Sequence, residues 1–481
     1  MDVKVISVNV GKALLVSALF MFFSVLVSIF NGFDSAFGPL LISFLITLTV
    51  GAFPFIFVRK TSSISMSDGF LIITIAWLLS FVFGMLPYVL YGGEFSLVNA
   101  FFESVSGYTT TGFTILRDVE ALPASLVFWR SSTHFIGGLG VIVFLLLILP
   151  ESSPFRLRIT NLELSSLSRE GYRYRSSRTV RIMCAVYVGL AVSETLLLCL
   201  AGMSFFDAVN HAFSTVATGG FSTRNLSIAY YDSRLIEFIV WFYMLLAGMH
   251  FGLIFTFVTT GSFKVFKSPV PRFYLGTVAV MTAVVCIDLT VGGRYSNFGE
   301  SLWHSAFQVV SAITSTGFTS TSLSAWPMVA AVIIVYCSLQ CACSGSTTGG
   351  VKTDRVLMAV KAMGSEIRRR LHPNSVCPVR LGSHPVTDEV VSSSLLYIAL
   401  YFLLSIISVV LLLLGGCSFT DSIALEVASI GNVGFTSLGS GDVASMSVFS
   451  KLVSCFNMFV GRVEIFPVLI VFHMIFRGRT K

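Results

Sequence analysis

Charge is what this chain has least of. Only 11% of its 481 residues are Asp, Glu, Lys or Arg, against roughly 25% in an ordinary soluble domain. A water-soluble fold lacks the polar surface to cover a chain that is 55% hydrophobic and holds 45 phenylalanines. Paired cysteines are missing too. The nine cysteines are odd in number and most sit inside apolar runs, which argues against a disulfide framework. Cys341-Ala-Cys343 has no histidine or second cysteine pair at ligand spacing, so it reads as structural thiols rather than a metal site. Paired catalytic carboxylates, Gly-x-Ser-x-Gly and His-Glu-x-x-His are absent, so the chain is not expected to be an enzyme. The net charge of +7 does not imply nucleic acid, because the position of charges matters more than their sum. What remains is a polytopic membrane protein whose first partner is lipid.

Apolar runs of spanning length lie near 11–31, 36–58, 69–92, 125–150, 179–202, 234–262, 270–292, 326–341 continuing to 363, 391–416 and 446–476. A hydrocarbon core of about 30 Å needs about 20 such residues in a helix, so these predict ten spans. Basic residues orient them. With both termini in the cytoplasm, the inner connections hold 24 of the 31 Lys and Arg residues. The richest are the loop carrying Arg156, Arg158, Arg169, Arg173, Arg175, Arg178 and Arg181, and the stretch with Arg368, Arg369 and Arg370. Both read as topology determinants and headgroup contacts, and equally as docking surfaces for a cytosolic regulator.

Four shorter stretches, near 96–108, 203–216, 299–313 and 418–430, fall in outward connections. They are too short to span and suit re-entrant helices. Each runs directly into a glycine-containing polar tract. The tracts are Thr109 to Thr114, Ala217 to Ser222, Thr314 to Thr319 and Gly431 to Thr436. Taking Gly112, Gly219, Gly317 and Gly434 as equivalent gives spacings of 107, 98 and 117 residues, a fourfold internal repeat. The chain divides into a two-helix extension (1–62), repeat one (63–155), repeat two (156–265), repeat three (266–380) and repeat four (381–481). One Thr-Gly pair is an ordinary turn. Four in register, each between a half-length helix and a full span, point to one shared site. Non-helical backbone at membrane depth is tolerated where it lines a path for water or ions. Carbonyl oxygens from four loops can replace a cation's hydration shell.

These motifs carry a family likeness. The chain resembles the Trk/Ktr/HKT superfamily of cation transporters, and its TrkH branch in particular. The match runs through ESVSGYTTTGFT (Glu103 to Thr114), STVATGGFST (Ser214 to Thr223), SAITSTGFTS (Ser311 to Ser320) and SIGNVGFTS (Ser429 to Ser437). It continues in IGGLGVIVF (Ile136 to Phe144), CSGSTTGGVK (Cys343 to Lys352) and GRVEIFPVLIVF (Gly461 to Phe472). The resemblance implies an all-α membrane fold with pseudo-fourfold symmetry like a K⁺ channel, built from one chain with two extra N-terminal helices. It implies K⁺ as the transported and bound ion and no organic cofactor. It also implies a homodimer and a cytosolic nucleotide-binding subunit of the TrkA type. The filter residues would be Thr110, Thr111, Gly112 and Phe113; Thr218, Gly219, Gly220 and Phe221; Ser315, Thr316, Gly317 and Phe318; and Asn432, Val433, Gly434 and Phe435. Serine at the first glycine accompanies Na⁺ selectivity in HKT relatives, so Gly112 favours K⁺.

Two features suggest a gate. Arg462 lies about halfway along the last run, where a charge costs a few kcal/mol unless it faces water or a partner. It reads as a positive plug in the lumen, or else as half of an ion pair with Glu464. The segment from Cys343 through Gly345, Ser346, Thr347, Thr348, Gly349 and Gly350 disfavours an unbroken helix. It reads as a movable barrier under the filter, or as a structural kink. Arg130 is expected to snorkel outward and His134 to be a hydrogen-bonded interior residue. Glu94, Asp118, Glu120, Asp207, Asp232, Glu300, Asp421 and Asp442 would rim the outer mouth, as an acidic vestibule or a plain solvated edge. Passive or gated K⁺ uptake competes with H⁺- or Na⁺-coupled symport, for which Glu103, Glu194 and Asp288 are the candidate carboxylates.

Overall fold

A computed structural model describes residues 2–58, 66–148, 176–323, 326–382, 384–435 and 443–477. Most of the basic loop (156–175), the repeat boundaries at 62/63 and 155/156, Thr436, Asp442, Arg479 and Lys481 lie outside these residues.

The described chain is helical apart from loops and one two-stranded pairing, Arg380–Leu381 with His384–Pro385. Two long helices, Val3–Phe30 and Phe37–Phe57, come first. They pack at a glycine contact, where a Cβ on Gly11 would meet the carbonyl oxygen of Gly51 at 2.7 Å. This pair leans on repeat one. Tyr108 donates to Ser17 at 2.8 Å, and Asp34 accepts from Ser28 at 2.6 Å and from the Ser125 hydroxyl at 2.8 Å.

Four units of one plan follow. Each has a long helix, a short helix, an irregular tract and a second long helix. The short helices are Leu97–Tyr108, Phe205–Val216, Phe298–Ile313 and Phe419–Ile430. Their starts are written locally. Ser96, Ser204, Asn297 and Ser418 each accept a backbone N–H of the first turn, satisfying donors that a helix end leaves unpaired. In the second and fourth units the serine also donates to an aspartate three residues on, at 2.9 and 2.7 Å.

The second long helices differ. Ala124–Ile148 is continuous. In unit two, Arg234–Ala247 bends by 106° into Phe251–Thr260, with His250 capping the new start by accepting from Gly252 at 3.0 Å. In unit three, Met328–Gln340 stops at Cys341 and resumes as Thr353–Leu371. In unit four, Val448–Val463 bends by 105° at Glu464, which takes a φ of 71°. Among the described residues six helices are long and apolar enough to cross a membrane, or eight if each bent pair counts as one. One of the expected spans falls short for a physical reason: Met328–Gln340 is only 13 residues long because the polar interruption ends it.

Three buried clusters form the interior. The first is centred on units two and three, the second on units one and four with the first two helices, and a small third joins Val5, Ile6 and Val10 to Leu71, Ile72, Ala76 and Val471. Large apolar side chains such as Val192, Leu196, Val280, Ile287, Leu403 and Ile406 stay exposed along the long helices. A lipid-facing surface accounts for them. All nine cysteines are free thiols.

Candidate functional site

Each short helix ends the same way. The chain passes through a left-handed residue, with φ of 52°, 56°, 51° and 53° at Thr110, Thr218, Ser315 and Asn432. Two residues later comes a glycine with φ of 86°, 86°, 82° and 75°, at Gly112, Gly220, Gly317 and Gly434. A phenylalanine follows in all four: Phe113, Phe221, Phe318 and Phe435. This corrects the register in unit two. Gly220, not Gly219, is the counterpart of Gly112, and the spacings become 108, 97 and 117 residues. Gly219 stands where the other tracts carry Thr111, Thr316 and Val433.

The four tracts meet head to tail. A Cβ on Gly112 would collide with the carbonyl oxygen of Gly219, and one on Gly220 with that of Thr316. One on Gly317 would strike the Val433 oxygen, and one on Gly434 the Thr111 oxygen. Tract one touches two, two touches three, three touches four, and four returns to one. Four backbones are drawn into a closed ring, at positions where both the conformation and the space require glycine. The four-to-one seam carries a side-chain tie as well, since Asn432 donates to Thr111 at 2.9 Å and to the Met458 carbonyl at 3.0 Å.

The interruption in unit three lies against this ring. Thr218 donates to the Thr347 carbonyl at 3.1 Å, and Thr347 donates to the Val216 carbonyl at 3.0 Å. The Gly349 amide donates to Ser315 at 3.4 Å. A Cβ on Gly349 would meet the Asn432 side-chain oxygen at 2.5 Å. The segment thus touches tracts two, three and four. Within it, Ser346 bonds the Cys343 carbonyl at 2.6 Å and Thr348 at 2.8 Å. Gly345 (φ 78°) presses on the His250 ring, and Gly350 (φ 66°) on Cys341.

Arg462 is buried next to this segment and donates to the Thr347 carbonyl. Its Nε and Nη2 have no hydrogen-bond partner among the described residues. Glu464 does not neutralise it. That carboxylate binds Arg355 at 2.9 Å and Lys352 at 3.6 Å, and Arg355 also stacks 3.8 Å over Tyr397. The helix break directs residues 462 and 464 to different neighbours.

The comparisons with known proteins fit this geometry. A family model described as a cation transport protein, TrkH, matches residues 40–478. The chain belongs to the TrkH family of cation transport proteins. The Trk system potassium uptake protein TrkH of Salmonella typhimurium is 32% identical over 419 residues, 86% of each chain. Its counterpart in Halomonas elongata is 30% identical over 483 residues, 98% of each. The crystal structure of the potassium transporter TrkH from Vibrio parahaemolyticus superimposes with a TM-score of 0.86 at 29% identity, covering 98% of both chains. These relatives are named as transport proteins, not enzymes.

One residue of this TrkH-family chain sits where the sequence did not place it. Arg130 does not snorkel. It is 1% exposed and its Nε meets Glu103 at 2.8 Å. Glu103, one of the candidate coupling carboxylates, also accepts from Thr114 at 3.0 Å and from the Ile115 amide at 3.1 Å. His134 is an interior residue, bonded to Ser214 at 3.0 Å and stacked on Phe221 at 4.1 Å. Of the other two carboxylates, Asp288 accepts the Ala330 amide at 2.9 Å, and Glu194 is fully buried. Nothing in the sequence pairs Glu103 with Arg130, 27 residues apart.

Three of the acidic residues expected to rim a mouth, Asp118, Glu120 and Asp207, have partners at the ends of tracts one and two. Arg224 binds Asp207 at 3.2 Å and Glu120 at 3.6 Å. Asn225 donates to Asp118 at 2.8 Å and accepts the Val119 amide at 2.8 Å. The Asn225 bond, aided by the Glu120 and Ala121 amides, holds the Asp118 carboxyl below its ordinary pKa. These contacts lock the exits of tracts one and two together.

Proposed function

We propose that this chain carries K⁺ into the cell across the cytoplasmic (inner) membrane through a selectivity filter formed by the four tracts. The closed ring of backbone contacts carries the reading. It brings one peptide oxygen of each unit against the glycine of a neighbouring unit. Such oxygens replace the hydration shell of a bare cation. The short helices end at the ring, so their C-terminal partial negative charge favours a cation there. The activity for which the relatives are named, potassium uptake, supplies the identity of the ion. Thr110 to Phe113, Thr218 to Phe221, Ser315 to Phe318 and Asn432 to Phe435 form the filter, with K⁺ as bound cargo.

The segment from Gly345 to Gly350 and Arg462 form the gate beneath it. A guanidinium with two unpaired nitrogens adjoining a cation path raises the barrier to K⁺. Its bond to the Thr347 carbonyl ties barrier and charge into one unit. Cytosolic termini, a homodimer and control by a TrkA-like nucleotide-binding subunit complete the proposal. The basic connections and the resemblance support them.

Proteoliposomes holding the purified chain test this reading. A K⁺ gradient should drive ⁸⁶Rb⁺ uptake that Na⁺ competes with weakly. Equal competition by Na⁺ would remove the filter. A second reading, H⁺- or Na⁺-coupled symport, rests on the fully buried Glu194. It requires the reversal potential to move with the pH or Na⁺ gradient.

A further inference from the structure

Next to the ring, one ion pair spans two of the four tracts. Glu103 lies on the short helix of unit one, and Arg130 on the long helix that follows its tract. The carboxylate takes four polar contacts: Arg130 Nε at 2.8 Å, Thr114 on both oxygens at 3.0 and 3.1 Å, and the Ile115 amide at 3.1 Å. Thr114 and Ile115 begin two residues beyond Gly112, so the carboxylate grips tract one where it leaves the ring. The guanidinium reaches the other way. Its central carbon lies 4.0 Å over the ring of Phe221, the aromatic of tract two. His134, one turn along from Arg130, stacks on the same ring and abuts Gly219.

Among the described residues the other units lack this device. Nine residues before the ring glycine, where unit one has Glu103, stand His211, Gln308 and Leu425. His211 bonds Ser222 at 2.9 Å, a brace within its own tract. Neither side-chain atom of Gln308 has a partner among the described residues, and Leu425 has no polar group. So, among the described residues, the one-to-two seam alone is fixed through a buried pair of full charges. Such a pair is a weak source of stability, and its best-attested use is to specify geometry.

We propose that Glu103 and Arg130 are positioning residues for ion selectivity: they fix the exit of tract one against the aromatic of tract two and so set the spacing of the carbonyl ring at that seam. The proposal rests on the filter reading above. A ring that tells K⁺ from Na⁺ by spacing and dipole strength degrades when one seam loosens. The pair touches no ion. Its loss shows as a change in preference before a change in throughput.

The test is the bi-ionic reversal potential, K⁺ against Na⁺, of the full chain in liposomes, with insertion checked by its gel-filtration profile. Glu103→Gln and Arg130→Lys should each lower the K⁺/Na⁺ permeability ratio about fivefold while K⁺ flux persists, the factor one ordinary hydrogen bond is worth. If either single variant fails to insert, Glu103→Gln/Arg130→Met removes both buried charges together and should show the same fall. Gly220→Ala serves as the comparison. An unchanged ratio in the pair variants, with or without reduced flux, while Gly220→Ala lowers it, overturns the positioning role and leaves the filter standing. An unchanged ratio in Gly220→Ala as well overturns the filter and this inference with it.

Discussion

The ring tracts and the segment beneath them are written in the same residues, serine, threonine and glycine, yet different forces hold them. The tracts are wedged backbone against backbone at Gly112, Gly220, Gly317 and Gly434, each capped by its own short helix. The segment at 343–350 hangs on single hydrogen bonds: Thr347 to Val216, Ser346 to Thr348, the Arg462 guanidinium, and two backbone bonds to unit two, Cys343 to Gly248 and Phe251 to Gly345. A backbone wedge cannot yield without rebuilding the ring. A set of single hydrogen bonds, each worth about 1 kcal/mol net, can be exchanged for others at little cost. The contrast separates a rigid selector from a movable barrier.

Breaking the selector should have the largest effect. Gly434→Asp puts a side chain onto the Thr111 carbonyl and adds a charge, so K⁺ uptake should vanish while the protein still inserts; normal ⁸⁶Rb⁺ flux in that variant would contradict the ring. The corrected register gives a finer cut in unit two. Alanine at Gly220 meets the backbone of tract three, whereas alanine at Gly219 meets the ring of His134, a side chain that can shift. Gly220→Ala should therefore cost more selectivity than Gly219→Ala, and the reverse order would restore the Gly219 alignment.

Breaking the barrier should act in the opposite direction. Arg462→Ala should raise K⁺ flux about tenfold, equivalent to a barrier lowered by about 1.4 kcal/mol, with the K⁺/Na⁺ ratio unchanged. A changed ratio would mean that Arg462 belongs to the selector. Thr347→Val keeps the shape and removes the bond to Val216, so flux should rise two- to fivefold by a loss of about 1 kcal/mol.

The smallest effect concerns the mouth. Asp118 is held ionised by Asn225. A carboxyl whose pKa is lowered by folding contributes above its ordinary pKa of about 4, and that contribution fades as pH falls further. Uptake should thus show no dependence on external pH between about 5 and 8 from this group, and Asp118→Asn should leave the profile flat.

Much of the plan was legible in sequence. The short helices sit within two residues of their expected starts, because an N-cap and a half-length apolar run are local signals. The ring glycines were found for the same reason, apart from one. Thr218-Gly219-Gly220 offers two glycines, and composition cannot choose between them. The phenylalanine that follows can, since Phe113, Phe221, Phe318 and Phe435 all stand one residue after the wedged glycine. The break at Glu464 and the Glu103–Arg130 pair were not legible. Both depend on which helices become neighbours, and that is decided by the assembled bundle rather than by any window of chain.

Anomalous diffraction from crystals grown in Rb⁺ or Tl⁺ tests the central claim most directly. A peak on the axis, surrounded by the carbonyl oxygens of Thr111, Gly219, Thr316 and Val433, is the predicted result. A ring without a peak, with the ion bound elsewhere in the molecule, would contradict it.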